Sequence, residues 1–188
     1  MKLNNIALLV VDVQKGFQEE DYWGEERNNP QAEENIAEIL KHWRNAKLPV
    51  FLIKHDSVNP KSPLAPGNPG NALQNLINER ADEPIISKNV NSAFIGTHLE
   101  DELTKKNINK LVIVGLTTNH CVSTTTRMAG NMGYDTYLVE DATATYNKKG
   151  IDGTNYTAQL MHDTAIASLK DEFATILNTK ELISSLKK

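Results

Sequence analysis

Short apolar runs alternate along this chain with stretches in which apolar residues return every three or four positions. Residues 6–11 (IALLVV) are apolar without a break. A strand buried on both faces needs that pattern, because its side chains point alternately to either side. Runs at 49–53, 84–87, 111–114, 136–139 and 173–177 predict five further strands. Between them, residues 31–46 repeat Ala32, Ile36, Ile39, Leu40 and Trp43 at helical spacing. Helices are also predicted through Leu73, Leu76 and Ile77, over 96–106, over 119–132 with Gly133 closing it, over 154–170, and over 180–186 with Thr179 as cap. Strands that alternate with helices predict an α/β chain whose six-stranded parallel sheet is covered on both faces. No internal repeat or linker divides the sequence, so residues 1–188 read as one domain. The largest irregular piece is the Pro/Gly/Asn-rich loop 57–70, which is expected over an active site or at a subunit contact.

Composition narrows the function classes. With 188 residues, 39% hydrophobic and 23% charged, the chain can build a real core and reads as a soluble globular protein. A net charge of −4 leaves no basic face to offset phosphate, which argues against a nucleic-acid partner. The lysine pairs at 105–106, 148–149 and 187–188 read as solvated surface. No apolar run approaches the roughly 20 residues that span a bilayer, and the N-terminus lacks a signal-peptide cleavage pattern. No membrane association is expected. A lone cysteine, Cys121, cannot form an internal disulfide and suits a reducing compartment, so a cytoplasmic location is expected.

In an open parallel sheet, ligands bind beyond the carboxyl ends of the strands, where the strand order reverses. Asp12 follows the first predicted strand, Lys88 follows the third, and Cys121 follows the fourth through the turn 115–120. An ordinary thiol has a pKa of about 8.5 and is mostly protonated at neutral pH. A helix N-terminus and a nearby ammonium both favour the thiolate. A carboxylate can take the thiol proton and return it to a leaving group. Backbone N–H groups of the 116–121 turn can hold an oxyanion. Taken singly, Asp12 is also a turn cap, Lys88 a surface lysine and Cys121 a small buried hydrophobe. Together they predict a catalytic group.

The segments ALLVVDVQKGF (7–17), ISKNVNSAF (86–94), VIVGLTTNHCVSTTTRMAGNMGY (112–134) and LVEDATATY (138–146) resemble the isochorismatase-like cysteine hydrolases. That superfamily includes nicotinamidases and carbamoylsarcosine amidases. The segments occur in family order and span nearly the whole chain. The resemblance implies a three-layer α/β/α, Rossmann-like fold and a catalytic triad of Asp12, Lys88 and Cys121. It also implies a non-proline cis peptide at Leu116–Thr117, which would set the N–H of Thr117 beside that of Cys121 as an oxyanion hole.

The sequence also departs from its relatives. Nicotinamidases carry an Asp-x-His element and a further His that bind a metal. Here His55 stands beside Asp56, and no further His follows until His98, so neither a metal nor another cofactor is expected. The departure weighs against nicotinamidase activity. Cys121 retained with Lys88 points to attack on an acyl carbon, with cleavage of a C–N bond in a small amide, carbamoyl or ureido compound through a thioester. The alternatives are isochorismatase-type vinyl-ether hydrolysis, an oligomeric binding module of the same fold, and a redox role for Cys121, which has no resolving cysteine. Phe17, Trp23, His55, Phe94, Asn119, His120 and Tyr146 are candidate pocket residues, with Asp12 rather than His120 as the base. Apolar helix faces around 128–132 and 160–167 predict a homo-oligomer.

Overall fold

The computed structural model describes residues 3–186, so the lysine pair at 187–188 and the first two residues of the N-terminal segment lie outside the described residues. The elements are β1 (Ile6–Val11), α1 (Glu20–Trp23), α2 (Ala32–Asn45), β2 (Val50–His55), β3 (Ile85–Lys88), α3 (Leu99–Lys105), β4 (Lys110–Leu116), α4 (Ser123–Asn131) and β5 (Asp135–Ala144). They continue with β6 (Lys148–Lys149), β7 (Asn155–Tyr156), α5 (Ala158–Leu169), β8 (Thr175–Leu177) and α6 (Thr179–Leu186). Six strands form one parallel sheet in the order β3-β2-β1-β4-β5-β8, and β6 and β7 pair antiparallel beside it.

The unbroken apolar run of β1 feeds two cores. Ala7, Leu9 and Val11 face α3, α4 and α5, where they meet Leu99, Leu103, Ala129 and Leu169. Ile6, Leu8 and Val10 face α2 and α6, where they meet Ile36, Ile39, Leu40, Trp43 and Leu182. The result is a three-layer α/β/α arrangement. Each fully buried Leu, Ile or Val contributes roughly 1.5–3 kcal/mol, so a strand buried on both sides anchors the sheet at its centre.

The strand order reverses between β1 and β4, which opens a crevice at their carboxyl ends. The two strands come very close there. Gly115 sits at φ +129°, and a Cβ on it would lie 2.0 Å from the Val11 carbonyl oxygen. Only glycine fits that approach.

Besides β4, which continues through Gly115 to Leu116, three strands run further toward the crevice than the apolar runs indicate. β2 continues through Lys54 and His55, β3 ends on Lys88, and β5 reaches Ala144 with a register shift between Ile113 and Gly115 of its neighbour. Polar side chains at these strand ends interrupt the apolar pattern, while the backbone ladder continues; His55 pairs with Lys88 in register. The helix predicted from 154 begins only at Ala158, because Asn155 and Tyr156 pair with Lys149 and Lys148 and Thr157 caps the helix through Leu160 N at 3.2 Å. Lys148 departs from the surface reading. It is half-buried, and its Nζ donates to the Trp23 carbonyl at 2.7 Å. Met128, Met132 and Ile166 pack against the core on the α4 and α5 side, while Leu160 is exposed. No helix among the described residues is long and apolar enough to cross a membrane.

Candidate active site

The ends of β1, β2 and β3 converge on the ammonium of Lys88. Its Nζ lies 2.7 Å from Asp12 Oδ2, 3.0 Å from His55 Nδ1, 3.1 Å from the Val90 carbonyl and 3.3 Å from Cys121 Sγ. An ammonium carries three hydrogens and accepts none, so it cannot donate to all four neighbours. The contact with His55 makes Nδ1 the acceptor, which leaves the ring proton on Nε2. The side chains of Lys88 and Asp12 are fully buried. Asp12 sits at φ +53°, a left-handed conformation that Asp tolerates better than most residues, at the turn out of β1.

Burial works against the Lys88 charge, but Asp12 and Cys121 outweigh it and raise the Lys88 pKa. Burial also lowers the His55 pKa, with the Lys88 charge adding, against weaker opposing pulls from Asp12 and Asp56. His55 is therefore neutral near pH 7. The thiol differs from the expectation that a helix end and Lys88 favour the thiolate. Burial pushes the Cys121 pKa up, the Asp12 carboxylate adds to the rise, and Lys88 offsets only part of it. The resting Cys121 is a protonated thiol in contact with an ion pair.

The turn that carries Cys121 leaves β4 through Leu116–Thr117, which is a cis peptide. A single wide π-helical turn, Thr118–Val122, then leads into α4. The Thr117 carbonyl accepts the N–H groups of His120 and Val122, on either side of Cys121, at 3.1 and 3.3 Å. Beneath the turn, Thr118 Oγ1 bonds Thr143 Oγ1 at 3.1 Å and the buried His162 Nδ1 at 3.0 Å. Extra-wide helical turns of this kind recur at functional sites.

Above the thiol lies a cavity of about 100 Å³ lined by Phe17, Trp23, His55, Leu64, Asn91, Thr117, His120 and Cys121. Phe17 and Trp23 pack with ring centroids 4.6 Å apart, and Trp23 Nε1 donates to the Gly16 carbonyl at 2.8 Å. The loop 57–70 supplies Leu64. It docks because Gly70 meets Gly16 with no side chain between them; a Cβ on Gly70 would lie 2.7 Å from Gly16 Cα. His120 stands exposed at the rim, yet protein around its ring lowers its pKa, with the Lys148 charge adding.

The profile described as Isochorismatase domain matches residues 6–181. The isochorismatase-family protein YrdC of Bacillus subtilis is 51% identical over 95% of this chain and 94% of its own length. This chain belongs to the isochorismatase family. A crystal structure of an isochorismatase-family protein from Chromobacterium violaceum superposes with a TM-score of 0.91 at 38% identity, over 96% of this chain and 93% of that one. Nicotinamidase 3 of Arabidopsis thaliana is 28% identical over 96% of this chain and 88% of that protein. This chain is accordingly a hydrolase by family.

For this isochorismatase-family chain, the sequence-based pocket residues divide in two. Phe17, Trp23, His55 and His120 line the cavity with Thr117 and Cys121. The other three sit one layer back. Phe94 packs in the core against Tyr134, with centroids 5.8 Å apart. Asn119 Oδ1 accepts from Thr145 Oγ1 at 2.5 Å. Tyr146 is buried behind Trp23, where its hydroxyl bonds the Phe17 carbonyl. Leu64 and Asn91 also line the cavity and are not among the residues expected there, although Asn91 stands in the quoted segment 86–94 and Leu64 in the loop expected over the site. Gln14 has a role that its sequence position does not signal: its fully buried amide donates to the carbonyls of His55 and Asn71 at 3.0 and 2.8 Å and accepts from His55 N at 2.8 Å. Gln14 thus fixes the end of β2, and His55 with it.

Proposed function

We propose that this protein is a cysteine-dependent hydrolase that cleaves a C–N bond in a small amide, carbamoyl or ureido compound that is uncharged at the end entering the cavity. The observation that carries the reading is the Cys121 thiol, at the cavity floor and in contact with the Lys88–Asp12 ion pair. The size of about 100 Å³ supports a small acyl group, since a water occupies about 30 Å³ of liquid. Charge supports a neutral one. Lys88 is committed to Asp12, and the two histidines of the lining have lowered pKa values. A carboxylate entering there would meet no free cation among the described lining residues.

In this reading, Sγ attacks the carbonyl carbon as the thiol proton passes to Asp12. The carbonyl oxygen becomes an oxyanion held by the N–H groups of Thr117 and Cys121. The C–N bond then breaks while Asp12 returns the proton to the departing nitrogen. Water gives a proton to Asp12 and attacks the thioester, the C–S bond breaks, and the proton returns to sulfur. A buried protonated thiol suits this sequence, because the proton leaves sulfur only as the new bond forms. Lys88 stabilises the negative charge as it moves between carboxylate and sulfur.

A screen of amides, carbamoyl compounds and ureido acids, with acyl-enzyme trapping followed by mass spectrometry, tests the proposal. The expected result is a covalent adduct on Cys121 with uncharged substrates, and a loss of about 10⁴-fold or more in turnover for Cys121→Ala. Full turnover by Cys121→Ala on a confirmed substrate overturns it.

A further inference from the structure

The neighbours of Lys88 Nζ are a carboxylate oxygen, an imidazole nitrogen, a thiol sulfur and a backbone carbonyl, at 2.7, 3.0, 3.3 and 3.1 Å. Carboxylate, imidazole and thiolate form a donor set that Zn2+ and Co2+ accept in four-coordinate sites. Asp12, His55 and Cys121 each offer an atom within 4.8 Å of the others. A tetrahedral ion with bonds of about 2.0–2.3 Å holds its ligands roughly 3.3–3.8 Å apart, so side-chain adjustment of about an ångström completes the site. A second observation points the same way. Asp12 Oδ1 is fully buried and has no hydrogen-bond partner among the described residues. The ammonium satisfies only the other oxygen of that carboxylate. His55 and Cys121 line the open cavity, which gives an ion an entrance and a water a place to complete the coordination.

We propose that Asp12, His55 and Cys121 form a latent site for a thiophilic divalent cation, and that the Lys88 ammonium keeps it closed by standing where the metal would sit. The lysine then has a second task besides charge stabilisation: it protects the thiol from capture by Zn2+. A metal that enters forms its bond to sulfur as the thiol proton is released to solvent. Two cations cannot share one buried point, so the metal binds well only where the ammonium is absent.

Co2+ titration of Lys88→Ala tests this without any assay of activity. The expected result is an intense sulfur-to-cobalt charge-transfer band in the near ultraviolet. It should appear at Co2+ concentrations about 100-fold or more below any at which the wild type shows one. The band should vanish in Lys88→Ala/Cys121→Ser. Should Lys88→Ala lose its native circular dichroism, Lys88→Ser takes its place with the same expectations. A folded small-residue variant without the band overturns the site. A wild type that binds at the same concentration overturns the protective role of Lys88, and a band that survives Cys121→Ser overturns the ligand set.

Discussion

Two regions meet at Cys121. Below the thiol, Asp12, His55 and Lys88 come from the ends of three adjacent parallel strands. Above it, Phe17, Leu64, Asn91 and His120 come from turns and loops, and Trp23 from the end of the short helix α1. The floor is set by a ladder of backbone pairs, Val11 with Ile53 and His55 with Lys88, and cannot move unless the sheet moves. Scattered side-chain and loop bonds hold the wall: Trp23 to the Gly16 carbonyl, Tyr146 to the Phe17 carbonyl, and Asn71 Nδ2 and Ser57 N to the Leu64 carbonyl at 2.8 and 3.1 Å. A rigid floor suits bond making, where small misplacements are costly. A wall of individually replaceable contacts suits the choice of substrate.

The comparison breaks most readily at Asp12. Asp12→Asn removes the proposed base and leaves a buried ammonium without its counter-charge. Turnover on a confirmed substrate is expected to fall by about 10²–10⁴-fold. Stability is expected to fall by about 3–5 kcal/mol, read from denaturant unfolding, because a buried pair loses one partner. Wild-type turnover in this variant would place the base elsewhere, with His120 the next candidate at the rim.

Trp23→Ala is the matching change in the wall, with a smaller expected effect. It removes one side of the aromatic pair that lines the cavity, while the Gly16 carbonyl it bonded regains water. KM is expected to rise by about tenfold, or about 1.4 kcal/mol, with kcat altered only a few-fold. A large fall in kcat at unchanged KM would mean that the wall positions the reacting group, and the division between floor and wall would fail.

The same division explains what could be read from the sequence. Asp12, Lys88 and Cys121 were legible because each combines a reactive side chain with the end of an apolar run, and parallel strands bring such ends to one edge. His55 was placed in the pocket, although its strand was expected to stop at Ile53; the ladder carries β2 two residues further. The wall was harder, because nearness to a motif in sequence is not nearness in space. Tyr146, Asn119 and Phe94 lie within the quoted segments yet turn to Phe17, Thr145 and Tyr134. Leu64 reaches the cavity only because Gly16 and Gly70 let two loops touch, a contact between residues 54 positions apart that no local pattern reveals. The burial that keeps Cys121 protonated is likewise a property of the assembled floor and has no signal in the turn that carries the cysteine.

The smallest expected effect concerns pH and separates a buried histidine from one at the rim. Burial lowers the pKa of His55, His120 and His162 below the ordinary value of 6.5. The folded chain therefore favours the neutral rings, while the unfolded chain titrates near 6.5. Between the folded and unfolded values the unfolded chain binds more protons, so stability rises with pH. This stabilisation is fully present above pH 6.5 and is lost as the pH falls through the folded values. Glu140 acts in the opposite sense. Burial raises its pKa, with Asp141, Asp163 and Glu181 adding, so the folded state takes up its proton more readily and offsets part of the loss at lower pH. Three histidines act against one half-exposed carboxyl, which lies 3.6 Å from His162 Nε2, and Tm is expected to drop by a few degrees between about pH 7.5 and about pH 5.5. His162 is buried under the turn that carries Cys121 and bonds Thr118, whereas water reaches His120. His162→Gln keeps an amide that can donate to Thr118 Oγ1 and removes the titration. It is expected to flatten the dependence of Tm on pH more than His120→Gln does, because solvent screens the rim. An unchanged slope in His162→Gln beside a flattened one in His120→Gln would reverse the assignment and make the wall, rather than the support of the floor, the acid-sensitive part of the molecule.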